Sequence, residues 1–289
     1  MKSPYSTKTE IQRFFDSKQI SAQKKFGQNF LIDQNIVQFI AGKAKDFADS
    51  KDICFAEIGI GLGTITYPIL DLKKTTHLFE IDRAYIKLAE EEILPKYSNA
   101  KLHEGDALKN LHILFQLPVF VFGNLPYHLT TEILNQLVIG CKQWFGGIFM
   151  VQKEFAERLV KENSSLSIFL SGFGSVKILK TVHKNCFFPI PKIHSSLIQF
   201  TPHPKPELLF QSENDLEIWS TLLRTLFWGK RKQIQVSVRE SPFSKDLKFQ
   251  SALLSAMEIS GLDPKRRPEE LNREQFLNLG QHLLDILSK

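Results

Sequence analysis

Ile53-Cys54-Phe55-Ala56-Glu57-Ile58-Gly59-Ile60-Gly61-Leu62-Gly63 reads as a short apolar strand that breaks into a glycine-rich turn. Glycines there let the backbone approach a ligand and adopt dihedrals closed to other residues, although such turns also occur for packing alone. The pattern then repeats. Apolar runs at residues 77–81, 100–103, 119–122 and 147–151 alternate with amphipathic stretches such as 83–94 and 130–141. That alternation predicts an α/β fold, a mostly parallel sheet with helices on both faces. Two more runs, 175–181 and 195–201, have little helical sequence between them and are expected to pair as an antiparallel edge.

Working outward, Thr7 and Glu10 form a capping-box pattern ahead of Ile11, Phe14 and Phe15, which predicts a short helix. A polar link over 17–23 and a loop over 24–33 follow, with Asp33 placed to cap a helix from 34 to about 45. At the other end, Pro202-His203-Pro204-Lys205-Pro206 has three prolines in five residues and marks a linker. Beyond it, 215–228, 249–259 and 273–287 read as helices. The expected organisation is an N-terminal helical extension over 1–23, an α/β domain over 24–202 and a small all-α domain over 207–289.

The 289 residues are 43% hydrophobic and 24% charged, which are values of an ordinary globular chain. No apolar stretch has the length of a membrane span, and the N-terminus lacks the apolar core of a signal peptide. Cys54, Cys141 and Cys186 are scattered, which argues against a disulfide frame or a cysteine-based metal site and for a reducing cytoplasm. No metal is expected. The net charge of +6 is uneven: +4 over residues 1–30, −4 over 31–140, +5 over 141–202 and +1 over 203–289. Basic segments flanking an acidic one suit attraction to a polyanion.

Polar residues stop the predicted strands at their carboxyl ends, where such folds bind ligands. Glu80, 23 residues after Glu57, can accept both hydroxyls of a ribose; nicotinamide-binding folds share that logic, so the cofactor stays open here. Asp106, in Gly105-Asp106, can accept from the amino group of an adenine. The 119–122 run ends in Gly123-Asn124-Leu125-Pro126-Tyr127. An amide oxygen and a backbone carbonyl there can grip an exocyclic amine, proline stiffens the turn and the tyrosine ring can stack on a base. Four residues alone are equally a strand-end turn.

Taken together, these residues resemble the small-subunit (16S) ribosomal RNA adenine dimethyltransferases of the KsgA/RsmA type. The resemblance runs through Lys24-Lys25-Phe26-Gly27-Gln28-Asn29-Phe30-Leu31, Glu57–Gly63, Glu80–Asp82, Gly105-Asp106 and Gly123–Tyr127. It continues in Phe187-Phe188-Pro189-Ile190-Pro191-Lys192-Ile193-His194-Ser195 and in Gly261-Leu262-Asp263-Pro264, covering about nine-tenths of the chain. It implies a Rossmann-like S-adenosylmethionine-dependent methyltransferase sheet with a small C-terminal all-α domain. It also implies dimethylation of two adjacent adenosines at N6 near the 3′ end of 16S ribosomal RNA, within an immature small ribosomal subunit, by a cytoplasmic monomer.

By the same resemblance, Asn29 and Leu31 close over the cofactor S-adenosyl-L-methionine, and Gly59 and Gly61 lie against it. Glu80 holds its ribose and Asp106 reads its adenine. Asn124 touches both cofactor and target, while Leu125, Pro126, Tyr127 and Phe187 complete the acceptor site, with Phe187 as a second ring facing Tyr127. Two departures stand out: Asn163-Ser164-Ser165 replaces the family's Tyr-Gly-Arg, and Ile60 replaces a common proline. The alternatives are an Erm-type enzyme acting on 23S ribosomal RNA and a non-catalytic ribosome-assembly factor that keeps the fold. The Gly123–Pro126 form, the N-terminal extension and Gly261–Pro264 favour the small-subunit enzyme.

Overall fold

The computed structural model describes residues 2–19, 28–161, 164–204, 212–229 and 231–288. Lys24–Gly27 of the N-terminal motif, Asn163, Lys205 and Pro206 of the proline-rich linker, and Lys230 lie outside them. The chain divides into two compact units. One comprises Met1–Ala156 with Lys177–Thr201, and the other Glu157–Val176 with Pro202–Lys289. The chain therefore crosses between them three times; proline content marks the last crossing, after Thr201, while those after Ala156 and Val176 carry no such mark.

The first unit begins with α1 (Lys8–Lys18), whose Thr7–Glu10 capping box forms as read. The two-residue strand β1 (Phe30–Leu31) leads into α2 (Gln34–Ser50), where Asp33 Oδ1 accepts from the N–H groups of Asn35 and Ile36. Then come β2 (Cys54–Ile58), α3 (Thr66–Leu70), β3 (Thr76–Glu80) and α4 (Arg83–Leu88), which runs on as a π-helical turn over Ala89–Ile93. β4 (Ala100–Glu104), α5 (Ala107–Asn110), β5 (Val119–Asn124), α6 (Thr130–Gly140) and β6 (Trp144–Gln152) complete the alternation.

After α7 (Lys153–Lys161) and α8 (Ser165–Ser171), the chain forms β7 (Gly174–Val182), β8 (Phe187–Phe188) and β9 (Ser195–Pro202). The main sheet has the order β4-β3-β2-β5-β6-β9-β7. Its strands from β4 to β6 are parallel, and β9 runs antiparallel to β6. β2 and β5 are buried on both faces, which is why they read as unbroken apolar runs.

A second, two-stranded sheet was not legible in the sequence. β1 pairs antiparallel with β8, with Phe30 opposite Phe188 and Leu31 opposite Phe187. Opposed residues share a face. Leu31 and Phe187 therefore enter one core cluster with Phe122, Met150 and Leu197. Phe30 and Phe188 enter another with Ile60, Leu62 and Tyr85.

The second unit adds α9 (Glu213–Phe227), α10 (Ile234–Glu240), α11 (Leu247–Ile259) and α12 (Arg273–Leu287). Trp219, Leu223, Leu253 and Phe276 are buried in its core, and the Arg273 guanidinium donates to the Ser171 carbonyl at 2.8 Å. Within the departure from the family pattern, Ser164 caps α8, its hydroxyl accepting from the Ser167 N–H. No helix among the described residues is long and apolar enough to cross a membrane.

Candidate active site

Four parallel strands end at one edge of the sheet, and a cavity of about 280 Å³ opens there. Its floor is the turn after β2, its sides are the ends of β3, β4 and β5, and β1 supplies a further wall. Leu31, Gly59, Gly61, Glu80, Asp106, Asn124 and Pro126 all line it, so residues far apart in sequence converge as expected. Asn29 enters through its backbone: the Asn124 side-chain N–H donates to the Asn29 carbonyl at 2.8 Å. Gly59 and Gly61 have φ of +76° and +50°, and a Cβ on Gly61 would lie 3.0 Å from the Phe30 ring. Both positions thus need glycine for backbone reasons, and Gly61 for space as well.

Glu80 is held by the backbone around it. Its Oε1 accepts from the N–H groups of Ile81 and Asp82, each at 2.8 Å, and its Oε2 from the Gly61 N–H at 2.9 Å. Burial raises its pKa; these three bonds oppose that, and the nearby Asp82 charge adds to it. A carboxylate has roughly four acceptor sites. With three occupied, one ribose hydroxyl can be accepted directly, and a second must displace the Gly61 N–H. Asp106 spends Oδ1 on capping α5, accepting from the Leu108 N–H at 3.0 Å.

Glu57 was read only as the lead-in to the glycine turn, yet it also lines the cavity. It is 2% exposed and accepts from the Thr66 hydroxyl at 2.6 Å. Burial pushes its carboxyl up to about 8; the Thr66 bond opposes this and the Glu80 charge reinforces it. The signal available in the sequence was an acid inside an otherwise apolar strand.

A testable consequence follows from the sign of that shift. The folded protein keeps a proton that the unfolded chain has released, so the stabilisation is complete below the ordinary value of 4.5 and is lost as pH rises through about 8. Wild-type Tm should therefore fall from about pH 5 to 8 more steeply than that of Glu57→Gln. Parallel Tm curves for the two proteins would mean that Glu57 titrates normally.

On the acceptor side, Leu125 is buried and its N–H donates to the Met150 carbonyl at 3.1 Å. The Pro126 carbonyl accepts from the Leu129 N–H at 3.0 Å and from the Thr130 hydroxyl at 3.1 Å. Tyr127 is half-buried, and its hydroxyl lies 3.0 Å from the Ser195 hydroxyl. Burial raises the Tyr127 pKa, opposed by that bond.

Phe187 requires a correction. It was expected as a second ring facing Tyr127 across the base, but it is 0% exposed, packs in the core with Leu31 and Met150, and does not line the cavity. A ring with no exposed face cannot stack on a base. The cause is the β1–β8 pairing, which fixes the face on which Phe187 points.

The sequence family described as Ribosomal RNA adenine dimethylase matches residues 19–283. A Clostridium botulinum (strain Loch Maree / Type A3) protein named Ribosomal RNA small subunit methyltransferase A is 32% identical over 272 residues, 91% of this chain and 94% of the relative. A Bacillus mycoides (strain KBAB4) protein of the same name is 32% identical over 295 residues, covering 97% and 96%. Among solved structures, a dimethyladenosine transferase from Plasmodium falciparum superposes with a TM-score of 0.68 at 25% identity, covering 83% of this chain and 94% of that one. The fold is accordingly that of S-adenosylmethionine-dependent methyltransferases.

The cavity suits that cofactor. Glu80 and Asp106 line it as acids, the buried Glu57 keeps its proton near neutral pH, and no Lys or Arg lines it among the described residues. Acids without bases complement a cationic sulfonium nucleoside, whereas the pyrophosphate of a nicotinamide dinucleotide would be repelled. The chain is a methyltransferase and belongs to the ribosomal RNA adenine dimethylase family.

Proposed function

We propose that this enzyme dimethylates N6 of two adjacent adenosines near the 3′ end of 16S ribosomal RNA, acting as a cytoplasmic monomer on an immature small ribosomal subunit. The observation that carries the reading is Asn124 at the cavity edge, whose amide N–H is already committed to the Asn29 carbonyl. Its Oδ1 is thereby left for an incoming amine. The choice of the small subunit is supported by the names of the two relatives, each similar to this chain over more than nine-tenths of its length.

S-adenosylmethionine, when bound, supplies an electrophilic methyl group. Leu31, Gly59 and Gly61 hold it, Glu80 takes its ribose and Asp106 its adenine. Asn124 Oδ1 accepts one hydrogen bond from adenine N6. The second falls to the Leu125 carbonyl, because that of Pro126 already receives two donors. Two acceptors at N6 favour a pyramidal nitrogen with a localised lone pair. The Tyr127 ring stacks on the base and offsets part of the few kcal/mol needed to extrude it. After transfer, N6 is acidic and releases its proton without a dedicated base. Positioning and fixed dipoles carry the rate.

Target recognition lies in the basic segments and the C-terminal helical unit. Lys153 and Lys184 lie close to His194, whose ring centroid is 4.4 Å from that of His183 and which precedes the Ser195 that bonds Tyr127. Positive charge there positions RNA phosphates next to the acceptor turn.

Methyl transfer from labelled cofactor to immature small subunits, followed by mass spectrometry of the RNA, tests the reading. The expected result is N6,N6-dimethyladenosine at two adjacent positions of 16S RNA. Label entering 23S RNA instead would establish the Erm-type alternative, and no label in either RNA would leave an assembly factor without catalysis.

A further inference from the structure

We infer that the N-terminal segment, residues 3–18, acts as a buttress for the cofactor-binding turn and sets how tightly S-adenosylmethionine is held. The inference rests on the assignment of the cavity to that cofactor. The segment reaches the turn from behind. The Ser3 hydroxyl donates to the Leu62 carbonyl at 3.0 Å, in a contact where both residues are buried. Leu62 lies between Gly61 and Gly63, and all three glycines of the turn have positive φ. Glycine turns lose the most conformational freedom on ordering, so what fixes them governs how preformed the site is. Without Ser3, a buried carbonyl in the middle of that turn would lose its donor.

Side chains of α1 repeat the support. Ile11, Phe14 and Phe15 are buried in one cluster with Ile60 and Leu62. The Phe15 ring meets Phe30 at 6.0 Å and the Phe14 ring meets Tyr85 at 6.5 Å between centroids. Phe30, Ile60, Leu62 and Tyr85 all show their other side to the cavity. The helix therefore forms a second layer behind the cavity wall, held in place at its edge by the Tyr5 hydroxyl donating to Glu92 at 2.6 Å. It touches the wall and not the cavity.

Calorimetric titration of full-length protein with S-adenosylmethionine and S-adenosylhomocysteine tests this, alongside steady-state kinetics and Tm. Ser3→Ala should weaken binding of both about fivefold, the loss of roughly one buried hydrogen bond, and Ser3→Thr should restore it. Phe14→Ala with Phe15→Ala should weaken it more than tenfold. The loss should appear in Kd and in KM for the cofactor and disappear from kcat at saturating cofactor. Amides of residues 59–63 should exchange faster in Ser3→Ala. A lower Tm with wild-type Kd in these variants would reduce the segment to a stabilising role and overturn the inference. If Glu80→Ala loses binding while they keep it, the cavity assignment stands and the buttress alone fails. Wild-type protein that binds neither compound would overturn both.

Discussion

Asn124→Ala is expected to lower the rate of methyl transfer at least about 100-fold, within the range seen when one preorganised polar group is removed from a transition state. The size of the effect follows from the double duty of one amide. Its N–H is spent on the Asn29 carbonyl at 2.8 Å, which fixes the plane of the side chain and leaves Oδ1 for the substrate amine. Alanine removes both bonds. Asn124→Asp keeps the shape and still offers an acceptor, but it sets a carboxylate against the Asn29 carbonyl, so it should be nearly as inactive. Single-turnover transfer to immature small subunits, with cofactor saturating and folding checked by Tm, measures the chemical step. Folded Asn124→Ala that transfers at the wild-type rate would remove Asn124 from the mechanism.

Phe187→Ala is expected to cost about 3–5 kcal/mol of stability, the usual penalty for truncating a fully buried aromatic ring. At roughly 2–4 °C per kcal/mol for a domain of this size, Tm should drop by about 10 °C. The ring is 0% exposed among Leu31, Phe122, Met150 and Leu197, three of them on separate strands of the main sheet. Phe187→Leu, which refills most of the volume, should recover most of the stability and retain activity. A Phe187→Ala protein with unchanged Tm and a selective loss of RNA turnover would instead return this ring to the base-binding surface.

The strands were legible because parallel strands covered on both faces leave continuous apolar runs, and their polar stops marked the cavity edge. Glu80, Asp106 and Asn124 converge because strand ends of one sheet must. Three things escaped. The β1–β8 ladder has two residues per strand and joins positions more than 150 apart, so no periodicity announces it. The placement of Phe187 follows from that ladder, while its expected role came from resemblance, which carries no information about neighbours. Glu57 was hidden because an acid two residues before the first glycine of the turn looks like part of the turn, and only its burial reveals a proton held near neutral pH.

The same ladder limits how this enzyme can be rebuilt. Gln28, Phe30 and Leu31 line the donor cavity, yet β1 takes its register from β8, and the Ile32 N–H donates to the Cys186 carbonyl at 2.8 Å. A chimaera that imports the 28–32 segment from a relative without the matching 186–188 segment would mispair two rings from two different cores. The two pieces, remote in the gene, form a single cassette for exchange.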